Sequence, residues 1–351
     1  MAERLRCAVI GTGSWGCEHL KSLSTCSRAV AVAIADSNAE RAHAASERYG
    51  IPRSYADYRE LLDQPDIDAV TIALPNYLHA SAAIESLKAR KHVLLEKPMA
   101  TNLRDAARII ETAKKMKRVI MVAQNFRFHP HSQVARIFIE KGALGEIYHA
   151  RCFWHRSSGI PRIGSWFTQK QYAGGGCTYD LGVHMLDLTF HLINDFQVRA
   201  VSAQAFNKFG TRGLGEADHS LSEIDPKKVF DVEDYSVALI RMESGRTVAL
   251  EVSWAAFHAS DVREKGVDLY GTEAGLSLFP TRVFRNGPSG YETIQLSQSK
   301  LPYSEDRVHH FVSCVLDGKK PLVSMDESYK VQQALEAIYA SSSSGKEVRL
   351  K

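Results

Sequence analysis

Cys7-Ala8-Val9-Ile10-Gly11-Thr12-Gly13-Ser14-Trp15-Gly16 is the stretch that sets the fold. A short apolar run enters Gly-x-Gly-x-x-Gly and passes at once into the helical pattern His19 to Leu23, which reads as strand, tight turn and helix. The first glycine permits the turn, the second lets the backbone approach a pyrophosphate, and the third lets helix and strand pack closely. The N-terminus of the helix then offers unpaired N–H groups and a positive dipole end to phosphate. The next apolar run, Val30 to Ala35, ends at Asp36, 36 − 16 = 20 residues after the last glycine. A carboxylate there accepts hydrogen bonds from the adenosine ribose hydroxyls, although an N-cap ahead of Ser37-Asn38-Ala39 would use the same residue type. Asp36 repels a 2′-phosphate and residue 37 is Ser rather than Arg, so NAD is expected rather than NADP. Arg41, placed to stack on adenine or reach a phosphate, leaves dual use open.

Working outward, further apolar runs at Ala69 to Ala73, His92 to Leu95 and Val119 to Val122 alternate with amphipathic stretches such as Ala39 to Tyr49 and Leu78 to Ala89. Near-continuous apolar strands joined by helical crossovers specify a doubly wound parallel sheet with both faces covered. After Gln124 the rhythm changes. A helix over His131 to Lys141 precedes alternating segments at Ile147 to Trp154, Tyr235 to Met242, Thr247 to Trp254 and Val267 to Tyr270. Alternation means strands covered on one face, so a mostly antiparallel open sheet is expected, closed by a helix over Glu327 to Ser341, a Ser341 to Gly345 stop and a short last strand. The expected organisation is an α/β Rossmann domain over 1–123 and an α+β domain over 124–351.

At 351 residues, with 44% hydrophobic and 24% charged positions, the composition is that of an ordinary globular enzyme. A net charge of +4 with interspersed signs supplies no basic stripe, so nucleic acid is not an expected partner. The N-terminal residues before and within the first apolar run are too short for a signal h-region or a membrane span, and a cytoplasmic protein is expected. Six cysteines without a Cys-x-x-Cys pair spell neither a zinc knuckle nor a redox dithiol; Cys177, inside a motif below, is expected to be structural.

Four motifs in order carry a wider resemblance. After the glycine turn come Pro75-Asn76-Tyr77-Leu78-His79, Glu96-Lys97-Pro98, Asn125-Phe126-Arg127-Phe128-His129-Pro130, and Gly174-Gly175-Gly176-Cys177-Thr178-Tyr179-Asp180-Leu181-Gly182-Val183-His184-Met185-Leu186-Asp187. Together they resemble the glucose–fructose oxidoreductase, inositol dehydrogenase and rhizopine-catabolism (Gfo/Idh/MocA) family over essentially the whole chain. The resemblance implies an NAD-dependent oxidoreductase in which Lys97, Asp180 and His184 meet over the nicotinamide. It further implies cofactor contacts from Gly11, Gly13, Ser14, Trp15, Gly16, Asp36, Arg41, Pro75, Asn76, His79, Glu96, Lys97 and Asn125. Elementary chemistry agrees: ligands of doubly wound sheets lie beyond the carboxyl ends of strands, where Asp36, Pro75 and Lys97 fall. Asp180 and His184, four apart in a helical pattern, are expected on one face. His184 is the expected base for a hydroxyl proton, Lys97 the donor to the reacting oxygen, and Asp180 the group that holds the imidazole or a neighbouring hydroxyl. Asp187 and His191 are expected to be structural, and no metal site is expected.

A loop of roughly twenty residues from Trp154 onward, longer than most connections, offers His155, Arg156, Arg162 and Trp166, with Arg127 from the junction, to a sugar. This loop, the triple glycine and the polar excursion Gly210 to Asp231 resemble the branch of the family that oxidises pyranosides at C3. The expected substrate is therefore a secondary ring hydroxyl of a sugar, glycoside or polyol, with inositol, anhydrosugars and sugar acids as close competitors. A relative-like alternative is a glycoside hydrolase working by transient oxidation, for which Tyr148 or Tyr179 would be the extra base. A cofactor-binding sensor would lack the triad. The one-sided sheet must cover its other face with helices or a partner, and a homo-oligomer, dimer or tetramer, is expected.

Overall fold

A computed structural model of the protein describes residues 4–217, 223–227, 229–259, 263–297 and 305–350. The chain forms two compact units, Met1–Ala123 with Glu305–Tyr329, and Gln124–Ser304 with Lys330–Lys351. The expected contiguous second domain therefore has one departure, the return of Glu305–Tyr329 to the first unit.

In the first unit, strands β1 (Leu5–Ile10), β2 (Ala29–Ala35), β3 (Ser54–Tyr55), β4 (Ala69–Ile72), β5 (His92–Leu95) and β6 (Ile120–Val122) form a parallel sheet in the order β3-β2-β1-β4-β5-β6. Its strand-connecting helices are α1 (Ser14–Thr25), α2 (Ala39–Tyr49), α3 (Tyr58–Leu62), α4 (Asn76–Lys88) and α5 (Leu103–Met116). Every residue of β4 is buried, as a strand covered on both faces must be. Among these strands only the two-residue edge strand β3 is invisible to periodicity, being too short to show one, and the helices α3 and α5 were not expected.

The glycine turn shows why its residues differ in role. Gly11 has φ +90°, and a Cβ there would lie 2.4 Å from the Ala73 carbonyl oxygen. A Cβ on Gly16 would lie 1.8 Å from the Gly11 carbonyl oxygen, so the close packing of α1 on β1 depends on its absence. Gly13 faces open space, with nothing within 4 Å.

In the second unit, α6 (Pro130–Glu140) leads to β7 (Ile147–His155), β8 (Ile160–Pro161) and α7 (Lys170–Ala173), then α8 (Val183–Ile193), β9 (Val198–Phe206), β10 (Glu216–Ala217), β11 (Tyr235–Met242), β12 (Thr247–Ser253), β13 (Lys265–Gly271), β14 (Gly275–Ser277), β15 (Arg282–Gly287) and β16 (Gly290–Gln295). The nine-stranded sheet, order β16-β15-β14-β13-β7-β12-β11-β9-β17 with β17 the last strand, Val348–Arg349, is antiparallel except where β12 runs parallel to β7. β8 and β10 pair separately, so the loop after Trp154 is tied into place rather than structureless. The polar excursion beyond Ala217 lies partly outside the described residues.

Helix α9 (Arg307–Asp317) belongs to the first unit; α10 (Met325–Ser344) runs into the second, followed by β17 (Val348–Arg349) on the β9 edge. α9 stays with the Rossmann sheet because Val308, Phe311 and Val312 are buried and Arg28 pairs with Asp317 at 2.5 Å. The serine run expected to stop the last helix lies inside it. Ser341 and Ser342 hydroxyls accept from the Ala203 and Ala205 amides at 2.9 and 3.0 Å, so the serines serve strand amides, and the stop comes at Gly345, φ +65°.

Gly16→Ala is expected to lower unfolding free energy by about 1–3 kcal/mol, the usual cost of overpacking, whereas Gly13→Ala stays within about 1 kcal/mol of the parent. Urea unfolding of both variants checks this; equal losses would show that α1 does not depend on the close approach.

Candidate active site

In the first unit the expected residues gather at the carboxyl ends of β1, β2, β4 and β5. Ser14 and Trp15 are exposed in the first turn of α1, whose start carries no side-chain cap and no acidic residue. Its amides are therefore available to an anion, and the open space at Gly13 leaves room for one. Asp36 is buried and densely bonded: it accepts from the Thr12 amide (2.8 Å) and hydroxyl (2.9 Å), the Asn38 amide (2.8 Å) and the Arg41 guanidinium (2.9 Å). Burial alone would raise its carboxyl pKa; Arg41 and these N–H groups reverse the sign and hold it below the usual range. The turn and the strand-end carboxylate fit a dinucleotide.

Pro75 and Asn76 begin α4 at the end of β4. His79 does not reach the same crevice. Its ring is buried between the carbonyl oxygens of Leu74 (2.8 Å) and Pro98 (2.7 Å), and burial lowers its pKa, so it ties two turns together. Glu96 is likewise diverted from a cofactor contact. It is buried, takes His19 Nε2 at 2.9 Å and Arg307 at 3.5 Å on one oxygen, and takes the Lys97 amide at 3.2 Å on the other. Burial pushes its carboxyl up, but His19, Arg307 and Lys97 hold it at about 2. Lys97 follows it, half-buried, at the end of β5.

In the second unit, Asp180 lies in a π-helical turn, Thr178–Gly182, that runs into α8 carrying His184. The expectation of one continuous α-helical face is corrected there, because a π turn shifts the register by a residue. Trp254, fully buried at the end of β12, donates its indole N–H to Asp180 Oδ2 at 2.9 Å. The His184 ring packs edge-on against Phe126 at 5.2 Å and lies 6.2 Å from Trp154. Lys265 Nζ lies 4.7 Å from the Trp154 ring centre, and Arg156 stacks on the same ring at 4.8 Å. Arg162, held at φ +51°, and Trp166, stacked on Phe167 at 3.7 Å, belong to the segment around β8. Asn125 opens the short helical turn that carries Phe126.

The triple glycine has a packing reason. A Cβ on Gly175 would meet the Tyr339 hydroxyl at 1.9 Å, and one on Gly176 would meet the Glu233 carbonyl oxygen at 1.9 Å. The buried Glu233 carboxylate accepts from the amides of Gly176 (3.0 Å) and Thr178 (2.9 Å) and from Tyr339 (2.7 Å), and so anchors the start of the turn that bears Asp180. Cys177 is fully buried, and burial raises its thiol pKa strongly.

Two expected substrate arms point elsewhere. Arg127 is fully buried in a bidentate pair with Asp187, at 2.8 and 2.7 Å, so it is a structural cation and Asp187 its counter-ion. His155 follows Trp154 in a strand, where successive side chains take opposite faces. It packs with Phe153 at 5.5 Å and lies 3.7 Å from Glu251, on the face away from His184. Of the two extra tyrosines, Tyr179 is buried and accepts from Gln332 at 2.8 Å, while Tyr148 is 53% exposed beside Tyr270 and Tyr291.

A doubly wound dinucleotide-binding unit coupled to an open mixed sheet, with a lysine, an aspartate and a histidine at the sites described, defines an NAD-binding oxidoreductase of the two-domain Rossmann class. Residues 5–124 match the signature described as oxidoreductase family, NAD-binding Rossmann fold, and residues 132–277 match the GFO/IDH/MocA C-terminal domain. The chain belongs to the GFO/IDH/MocA family. It is 30% identical to D-glucoside 3-dehydrogenase of Escherichia coli K12 over 99% of this chain and 97% of that one. It is 26% identical to myo-inositol 2-dehydrogenase of Thermotoga maritima over 98% and 97% of the two chains. A solved levoglucosan dehydrogenase in complex with NADH and L-sorbose superposes with TM-score 0.84 at 26% identity, covering 99% of each chain.

Arg127→Met leaves a buried carboxylate without its cation and is expected to cost about 3–5 kcal/mol of stability. Chemical denaturation measures it. A variant as stable as the parent would return Arg127 to the list of available arms.

Proposed function

We propose that this protein oxidises a secondary ring hydroxyl of a sugar, glycoside or polyol, the C3 hydroxyl of a glycoside foremost, with NAD. The observation that carries the reading is the place of Lys97 at the carboxyl end of β5, in the row of strand ends that also holds the glycine turn and Asp36. The full-length similarity to a D-glucoside 3-dehydrogenase supports the substrate class.

Bound NAD supplies the hydride acceptor. The chain handles the proton: His184 takes it from the hydroxyl, and Lys97 donates a hydrogen bond to the same oxygen, favouring its negative character as the carbon–hydrogen bond breaks. Asp180, one oxygen held by Trp254, orients the imidazole or a neighbouring hydroxyl. Aromatic Trp154 and Trp166 suit a sugar's C–H face, and Arg156 and Arg162 suit its hydroxyls. Asp36 receives ribose hydroxyls where it now holds the partly exposed Arg41. The hydrolase reading gains nothing from Tyr148 or Tyr179, whose positions are given above.

Lys97→Ala and His184→Ala are expected to lose roughly 10²–10⁴ in turnover while keeping NAD affinity. A panel of glucosides, galactosides, inositols and anhydrosugars with NAD and NADP, read at the NADH absorbance and by product release, tests the whole reading. Aglycone released without NADH would replace it with the hydrolase, and unchanged turnover in either variant would remove that residue from the chemistry.

The buried or half-buried free cysteines suit a reducing cytoplasm, and no helix among the described residues is long and apolar enough to cross a membrane. We also assign self-association to the exposed side of the second sheet, where Tyr148, Tyr270 and Tyr291 are 53%, 42% and 74% exposed. Light scattering is expected to show a dimer or tetramer that dissociates in Tyr148→Glu/Tyr270→Glu. A parent that is monomeric at micromolar concentration would rule this out.

A further inference from the structure

We propose that Arg307 and His19 are positioning residues for Lys97, acting through the Glu96 carboxylate that they clamp at the end of β5. The inference rests on the reading of Lys97 as the donor to the reacting oxygen. Its basis is a chain of contacts inside the first unit. Glu96, 6% exposed, turns one oxygen to His19 Nε2 (2.9 Å) and Arg307 Nη2 (3.5 Å), and the other to the Lys97 backbone N–H (3.2 Å). Arg307 stands 211 residues downstream of Glu96, yet it is held firmly. Asp306, just before it, caps α9 through the Val308 and His309 amides (2.8 and 3.0 Å) and accepts from Ser22 of α1 at 2.5 Å. His309 reaches the Ser22 carbonyl at 3.0 Å. The guanidinium also stacks on Trp15 of the glycine turn at 5.3 Å. One cation thus touches both the turn expected to receive phosphate and the carboxylate behind the expected proton-handling lysine.

Stability alone does not account for this cluster. A buried ion pair recovers little beyond its desolvation cost, and apolar side chains of similar volume fold as well. Among the described residues, His19 Nδ1 and Arg307 Nε are buried without an acceptor or donor, an added cost that apolar packing would avoid. What the cluster does supply is a fixed acceptor for the Lys97 amide. That fixes where the lysine side chain leaves the backbone, and a misplacement of about 1 Å at a reacting centre costs on the order of 10²-fold in rate.

The charged and titratable groups facing Glu96 are His19 from α1, Arg307 from α9, His79 from α4 and its own neighbour Lys97. The His19 hydrogen bond first, and then the Arg307 and Lys97 charges, keep the carboxylate ionised far into acid. Without the guanidinium its pKa rises, so protonation removes the acceptor first at the acid side, and turnover should fall there first.

The test uses the full chain with NAD and the best substrate of the panel, comparing Arg307→Gln, Arg307→Lys, Lys97→Ala and Lys97→Ala/Arg307→Gln. Turnover is followed across pH 5–9, with NADH binding and urea unfolding measured alongside. Arg307→Gln is expected to lose about tenfold in kcat at neutral pH and more at pH 5, Arg307→Lys to regain most of it, and the double variant to be no slower than Lys97→Ala. Arg307→Gln with the parent's kcat and pH profile, or a double variant slower by the full single-variant factor, overturns the proposal. If Arg307→Gln does not fold, the cycle is run with Arg307→Lys, whose smaller loss must likewise vanish in the Lys97→Ala background. Should Lys97→Ala itself keep full turnover, the underlying reading fails, an outcome distinct from a failure of Arg307 alone.

Discussion

The close approach of α1 to β1, where the Gly11 carbonyl occupies the space a Cβ on Gly16 would need, is the constraint on which the first unit depends. It brings the N-terminus of α1 to the carboxyl end of the central strand, so that first-turn amides with no internal partner face outward beyond the sheet. Parallel connectivity then places the other strand ends in the same row, which is why Asp36, Pro75 and Lys97, far apart in sequence, can serve one ligand. Nothing in this arrangement asks for a particular substrate. It fixes a cofactor class.

The second unit solves a different problem, presenting Asp180 and His184 from a turn that is not α-helical. A π turn replaces the α-helical hydrogen-bond spacing with the rarer i→i+5 spacing. Here the holding groups are the Glu233 carboxylate beneath the amides of Gly176 and Thr178, the Tyr339 hydroxyl against that carboxylate, and the Trp254 indole on Asp180. The glycines at 175 and 176 are the space those groups require.

Much of this was legible in the sequence because it is local. The glycine turn, the apolar strands and the crossover helix Ala39–Tyr49 follow from spacing within a few residues, and the α6 and β11 limits were readable within a residue. Three of the departures share one cause, the absence of a local signature for a distant partner. Arg127 reads as an available cation until Asp187 appears beside it, and Glu96 and His79 read as cofactor contacts until their partners are placed. His155 fails for a simpler reason: one residue of strand register moves a side chain to the opposite face. The return of Glu305–Tyr329 could not be read at all, since α9 is an ordinary amphipathic helix whose apolar face does not name the surface that covers it.

Three buried carboxylates, Glu96, Asp187 and Glu233, stand behind the expected chemistry, and each is compensated by groups remote in sequence. Ion pairs and buried networks of this kind add little net stability over apolar packing, so their concentration beside functional residues points to geometry rather than to stability. An apolar core tolerates small repacking, because many arrangements bury the same area. A carboxylate that accepts two or three named N–H groups has one arrangement, and any displacement leaves a charge unpaired. Placing such groups next to Lys97 and under the Asp180 turn makes the backbone there stiff in position as well as in conformation. The backbone that carries Lys97 and Asp180 is therefore held to a tolerance that hydrophobic packing would not by itself impose.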